Sequence, residues 1–272
     1  MLTSSFSLGQ KFNFTIKKYF YLVKHSFSKN NKSHYEVNLL GENFFYEDSH
    51  SLFFYQSLFV TNENFLKNIK KEEILTIVDV GANVGLFSKT IRHFFPSAKI
   101  YAVEPIPSAK ACLDKNFKHD NLFQSDQVAF SDKNGKIKMT SVKTDTQHSH
   151  VSDAGNLLVS ATTLDAYVRK YNITYIDLLK IDTETFEAHV LKGGSKALKN
   201  TKYLFLEVNF VNNSNYTFSS LMSLLFSKDY DFQLVKIKSY SQKVNEAVLF
   251  DCLFINTSFD RLSKNKASSK II

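Results

Sequence analysis

Two glycines and a set of carboxylates are the residues through which this chain could do chemistry. Val78-Asp79-Val80-Gly81-Ala82-Asn83-Val84-Gly85 joins an apolar run to a helical pattern. Gly81 and Gly85 let the backbone turn sharply and come close to a ligand. The next apolar run ends in Val103-Glu104-Pro105, with Glu104 25 residues after Asp79. An acid at that strand end is placed to accept hydrogen bonds from both hydroxyls of a ribose. Asp182, Glu184 and Glu207 stand at or just beyond the ends of two later apolar runs. A carboxylate there could take a proton from a reacting hydroxyl.

Two cofactors use this plan. A nicotinamide or flavin dinucleotide wants a Gly-x-Gly-x-x-Gly loop, because its pyrophosphate rests on backbone amides at the helix start. Here Asn83 stands where the second glycine would be. S-adenosylmethionine carries no phosphate, and its zwitterionic end suits a loop with a carboxylate such as Asp79 nearby, plus backbone amides. The residues favour S-adenosylmethionine, with a dinucleotide oxidoreductase as the alternative and a turn that needs glycine only for packing as the third reading. Asp126 or Gln127, in the region of the third strand, could meet an adenine amino group or be plain loop residues.

Each carboxylate has a second reading. Asp182 could be the proton acceptor or the N-cap of the helix that follows. Glu184 could share that work or complement the helix dipole. Glu207 could be a third acid on the same edge or pair with a lysine such as Lys180. Three carboxylates could hold a divalent ion through oxygen ligands, but methyl transfer needs none, so no metal is expected. His148 and His150 read as solvated loop residues, His189 as surface or packing, and Asp165 as a cap.

The elements that must position these residues alternate. Ile74–Val80, Ala98–Glu104, Tyr175–Asp182 and Tyr203–Asn209 read as strands, the first continuous enough to be buried on both faces. Val84, Phe87, Ile91, Phe94 and Phe95 recur at helical spacing, and Pro105 and Pro107 open a helix through Ala109–Asn116. Short strands at Val128–Phe130 and Ile137–Met139 flank a Lys133-Asn134-Gly135 turn. Ser141–Ser160 reads as a long loop, and Leu164–Tyr171 as a helix with Thr162 and Asp165 in capping-box spacing. Glu184–Leu198 reads as one helix and Ser219–Ser227 as another. Phe232–Ile237 and Ala247–Ile255 are late strands that can pair antiparallel. Before all of these, Tyr35–Leu40 and Asn43–Tyr46 form a hairpin, and Phe53, Phe54, Leu58 and Phe59 suggest a helix. The alternation implies an α/β fold with a mostly parallel, doubly wound sheet.

At this point the chain resembles a known family. Asp79–Gly85, Val103-Glu104-Pro105, Ala129-Phe130-Ser131-Asp132 with Gly135, Thr162-Thr163-Leu164-Asp165, Leu179-Lys180-Ile181-Asp182-Thr183-Glu184, Glu187 with Val190-Leu191-Lys192-Gly193, and Leu206-Glu207 are similar to the FkbM family of S-adenosylmethionine-dependent methyltransferases. The resemblance covers about residues 36–256 and includes a lead-in around Phe44, Tyr55 and Phe59. It implies a class I methyltransferase, Rossmann-like fold with seven strands and a reversed last strand. It also implies O-methylation of a sugar, a glycan or a secondary metabolite. One position departs: the family usually has Glu-Gly-aromatic-Glu after the fourth strand, and this chain has Glu184-Thr185-Phe186-Glu187. A side chain there bears on acceptor choice or marks a catalytically silent binding module.

Composition bounds the rest. The 272 residues carry a net charge of +8, and it is uneven. Residues 1–35 hold six lysines and no acid, the last 16 hold four basic residues against Asp260, and the stretch between them sums to −1. Basic ends attract an anionic membrane surface or a phosphorylated acceptor, or merely solubilise a terminus. No nucleic-acid motif accompanies them. Two cysteines exclude a disulfide scaffold. The longest early apolar run, Tyr19–Val23, is too short for a signal-peptide core, so a cytoplasmic protein is expected. The division is residues 1–70 as arm and lead-in, 71–256 as the cofactor-binding domain, and 257–272 as a basic tail.

Overall fold

The computed structural model describes residues 35–39, 42–46, 66, 69, 73–140, 149–209, 216–226, 230–239 and 249–259. The readings placed on residues 1–34, on the helix at 53–59, on His148 and on the basic tail from 260 onward lie outside these. Among the described residues no helix is long and apolar enough to cross a membrane.

The lead-in hairpin is β1 (Tyr35–Leu39) paired antiparallel with β2 (Glu42–Tyr46), and the apolar runs after it become strands with both faces covered. β3 (Thr76–Val80), β4 (Lys99–Val103), β10 (Ile176–Ile181) and β11 (Thr201–Asn209) form the middle of a seven-stranded sheet. Its order is β12-β13-β11-β10-β3-β4-β5, with β5 at Phe123–Asp126, β12 at Phe232–Ser239 and β13 at Leu249–Asn256. β3 pairs in parallel with β4 and β10, and β10 in parallel with β11. β13 runs antiparallel to both of its neighbours, so the reversed last strand slots between β11 and β12. This is the expected class I methyltransferase sheet.

Period-two alternation splits the core between the two faces. Ile77, Ile100, Leu178 and Phe205 face one side with α1 (Leu86–Phe94). Val78, Val80, Tyr101, Leu179 and Ile181 face the other with Leu164, Leu191 and Leu221. The chain leaves β3 toward β4 and α2 (Pro107–Asn116), then returns to lay β10 on the other flank of β3. The strand order reverses there, and ligands of open α/β sheets bind at such a switch point, outside the carboxyl ends of the strands.

Three expectations change. The Ser141–Ser160 loop contains strands: β8 (His150–Val151) and β9 (Leu157–Thr162) join β6 (Ala129–Phe130) and β7 (Gly135–Thr140) in a small sheet ordered β6-β9-β7-β8. Val159 and Ala161 face inward there while Leu158 and Ser160 face out, a strand period hidden by polar neighbours. The cap of α3 (Leu164–Lys170) is Thr163, whose hydroxyl accepts from Ala166 N, and not Thr162. The helix expected over Glu184–Leu198 is α4 (Glu187–Lys192) and α5 (Ser195–Lys199), broken at Gly193-Gly194. A Cβ on Gly193 would run into the Ser131 carbonyl, so glycine is what lets the chain pass. Asp165 caps across space: its carboxylate accepts from Lys196 N and Ala197 N at the start of α5. α6 (Phe218–Leu225) is closed by a Thr217–Ser220 capping box.

Candidate functional site

The loop between β3 and α1 is held by its own amides. Gly81 N and Ala82 N both donate to Val103 O, at 3.1 and 3.0 Å. Asn83 N donates to Glu104 Oε2 at 2.8 Å, Val84 N to Asn83 Oδ1 at 2.6 Å, and Gly85 N to Ala82 O at 2.8 Å. The backbone is left-handed at Gly81 (φ +75°), Asn83 (φ +50°) and Gly85 (φ +92°). Asn tolerates that region better than other side chains, which explains how Asn83 replaces a glycine. Gly81 has no substitute, because a Cβ there would run into the Asp182 carbonyl.

Glu104 closes the loop from β4. Its Oε1 accepts from Ile106 N at 2.8 Å while Oε2 holds Asn83 N, and the residue is 5% exposed. Burial pushes its carboxyl up to about 7, against the pull of the two amides. A carboxylate has about four lone-pair sites, so two remain for a pair of ligand hydroxyls.

Beneath the loop lies a buried ion cluster. Asp79 is fully buried and accepts from Ser88 Oγ of α1 at 2.6 Å. Burial raises its carboxyl, opposed by Lys180 and Ser88. Lys180, paired with Asp79 in the β3–β10 register, points to the same face. Its Nζ donates to Gly81 O at 2.8 Å and pairs with Asp182 Oδ2 at 3.2 Å and Asp79 Oδ1 at 3.5 Å. Burial alone would lower the ammonium's pKa, but Asp182 and Asp79 outweigh it and hold the charge firmly on.

Asp182 follows β10 at the same sheet edge. It is not the cap of α4, which begins five residues later with Phe186 at its N-cap. Glu187 takes the loop amide instead: its Oε1 accepts from Thr183 N at 2.9 Å and Thr183 Oγ1 at 3.0 Å. Carboxyl oxygens of Asp182, Glu184 and Glu207 lie within 4.8 Å of one another, each residue partly exposed. Burial first, then Asp182, Glu184 and Glu187, hold the Glu207 carboxyl well above its usual range. Glu207 also faces Asp251 across the antiparallel β11–β13 pair. Such an edge can accept a proton from a bound hydroxyl.

Glu184 (φ +53°) and Thr185 (φ +76°) are consecutively left-handed. The glycine expected after Glu184 is the residue this backbone suits, and a β-branched residue there is a genuine outlier.

Other expected positions fall elsewhere. Asp126 ends β5 beside Val103, but its carboxylate is bound by Tyr167 OH (2.9 Å), Tyr171 OH (2.6 Å) and Lys170 Nζ (3.0 Å). Burial alone would raise its pKa, and these three donors reverse that. Asp126 anchors α3, and Gln127 is exposed beside it. His189 stacks on Phe186 at 4.1 Å, as packing. Sequence reasoning missed Lys180 as a site residue and Glu187 altogether as a loop holder. A lysine inside Leu178-Leu179-Lys180-Ile181 was the available signal, since a buried strand rarely carries an unpaired charge.

Residues 79–234 match the model of the Methyltransferase FkbM domain, more than half of the chain. The 2-O-methyltransferase NoeI of Sinorhizobium fredii (strain NBRC 101917 / NGR234) is 25% identical over 150 residues, covering 48% of this chain and 62% of NoeI. The chain thus spans less than two thirds of NoeI's length. Methyltransferase sdnD of Sordaria araneosa is 26% identical over 177 residues, 52% of this chain and 68% of sdnD. The crystal structure of Methyltransferase FkbM from Methylobacillus flagellatus KT superposes with a TM-score of 0.43 at 13% identity, over 75% of this chain and 55% of that one. By the domain match and the motifs it spans, this chain belongs to the FkbM methyltransferase family.

Proposed function

We propose that the protein transfers a methyl group from S-adenosylmethionine to a hydroxyl of a sugar, glycan or secondary metabolite. One observation carries the cofactor choice. All five amides from Gly81 to Gly85 already donate to protein acceptors, three of them at the helix entrance. A pyrophosphate needs such amides open, whereas a ribose needs an acceptor, and Glu104 supplies one. The residues therefore fit S-adenosylmethionine and fit a dinucleotide poorly. Glu104 would hold the ribose; the Gly81–Gly85 amides and the fully buried Asp79 are committed within the protein, so they would shape the turn beside the amino-acid end rather than bind it. The cofactor brings a methyl group already activated on sulfonium, so the protein's part is alignment and proton removal. Asp182 would take the acceptor proton, with Glu184 and Glu207 completing the acidic edge.

The similarity to a 2-O-methyltransferase supports a sugar hydroxyl as acceptor. The lysines of residues 1–34 would meet a phosphorylated acceptor or an anionic surface. The cytoplasmic setting expected from the sequence is part of the same reading.

The test is incubation with methyl-labelled S-adenosylmethionine and a panel of nucleotide sugars and lipid-linked glycans. Labelled product is expected. Asp182→Asn should cut turnover by about 10²–10⁴-fold with cofactor affinity kept. Unchanged turnover would remove Asp182 from the chemistry. Cofactor binding with no transfer to any acceptor would favour the second reading, a catalytically silent binding module, for which Thr185 is the motivating departure.

A further inference from the structure

We propose that Lys180 is a positioning residue for the cofactor loop, a role that rests on the cofactor reading above. Three elements meet at its ammonium. Gly81 O, at the head of the loop, accepts from Nζ at 2.8 Å. Asp182 Oδ2, at the end of β10, lies at 3.2 Å, and Asp79 Oδ1, inside β3, at 3.5 Å. The Phe87 ring of α1 lies 5.6 Å away and closes the slot. The Lys180 side chain is 6% exposed, so this charge is not there for solubility.

Gly81 is where the loop turns left-handed, and its Cα sits against the Asp182 carbonyl. Asp182 N donates to Val80 O at 3.2 Å, which ties the same two strands one residue earlier. A glycine with positive φ has many other conformations open to it. Its carbonyl direction is set by whatever donor meets it, and that donor is Lys180. Rotation of the Gly81–Ala82 peptide would carry the Ala82 amide off Val103 O and disturb the amides that close on Glu104. Lys180 thus fixes, without touching the cofactor, the loop that receives it. The alternative is plain charge balance, with Lys180 needed only because Asp79 and Asp182 are charged.

Binding of S-adenosylhomocysteine, measured by calorimetry, separates the two. The proteins are intact, Asp182→Asn, Lys180→Met, and a triple variant that combines Lys180→Met with Asp79→Asn and Asp182→Asn, each checked for folding by circular dichroism. Positioning predicts that Lys180→Met binds about tenfold or more weakly, that Asp182→Asn binds within about twofold of the intact protein, and that the triple variant stays as weak as Lys180→Met. Near-intact affinity in Lys180→Met, or recovery of affinity in the triple variant, overturns the proposal in favour of charge balance. If Lys180→Met fails to fold, the triple variant, which removes both carboxylates that Lys180 balances, carries the same readout. If the intact protein itself binds no S-adenosylhomocysteine, the cofactor reading fails and this role with it, and that failure shows in the intact protein alone.

Discussion

Replacing Glu104 by Gln should change how stability and cofactor affinity depend on pH. Glu104 is 5% exposed, and burial moves its carboxyl from 4.5 to about 7. That difference is about 3 kcal/mol against the charged form, at about 1.4 kcal/mol per pH unit. The folded pKa lies above the unfolded one, so the folded protein keeps a proton that the unfolded chain has released. The stabilising contribution is present below about pH 4.5 and is lost as pH rises through about 7. Gln does not titrate. It turns an amine toward Asn83 N or Ile106 N, a defect of about 1–3 kcal/mol that is the same at every pH. The stability difference between variant and intact apo protein should therefore shift by about 3 kcal/mol in favour of the variant between pH 4.5 and 8. Urea unfolding at unit pH steps reads it, and titration of the other acids cancels in the difference. Affinity should move the opposite way. The carboxylate accepts the ribose hydroxyls, so S-adenosylhomocysteine binding by the intact protein should tighten by up to about tenfold per unit up to pH 7 and then level off. The Gln variant should lack that dependence. Parallel stability curves would mean that Glu104 is solvated in the apo protein. Parallel affinity curves would remove it from the ribose site.

Two further outcomes follow from backbone and charge. Thr185→Gly should raise stability by about 0.5–1 kcal/mol, since relief of the left-handed strain exceeds the entropy glycine adds to the unfolded chain; a lower melting temperature would show that the Thr185 side chain contributes more than the strain removes. Deleting residues 2–33 should leave S-adenosylhomocysteine affinity unchanged and weaken binding to anionic vesicles or a phosphate-bearing acceptor at low salt, an effect screened over about 8–10 Å as salt rises; equal binding by both proteins would make the arm a solvated terminus.

The middle of the fold was legible because burial on both faces leaves long apolar runs. Ile74–Val80 and Tyr175–Asp182 contain β3 and β10 with only their ends trimmed. The site edge was legible for the same reason, since Gly81, Glu104 and Asp182 stand where those runs stop. The misses required knowledge of neighbours in space. The break at Gly193-Gly194 is set by Ser131 and Leu164 packing against those glycines. Asp165 has the composition of a local cap, yet its partners lie 31 and 32 residues on. Asp126 looked open in sequence, and two tyrosines and a lysine of α3 and its C-cap take its carboxylate. Lys180 became a site residue only through the register that sets it beside Asp79 and under Gly81.

The most direct measurement is a competition between ligand classes on the intact protein. Calorimetry with S-adenosylmethionine, S-adenosylhomocysteine and NAD should give saturable binding of both sulfur ligands and none of the dinucleotide, because the five amides of the Gly81–Gly85 loop are committed within the protein. Tight NAD binding with no heat from either sulfur ligand would contradict the cofactor assignment and the methyl transfer built on it.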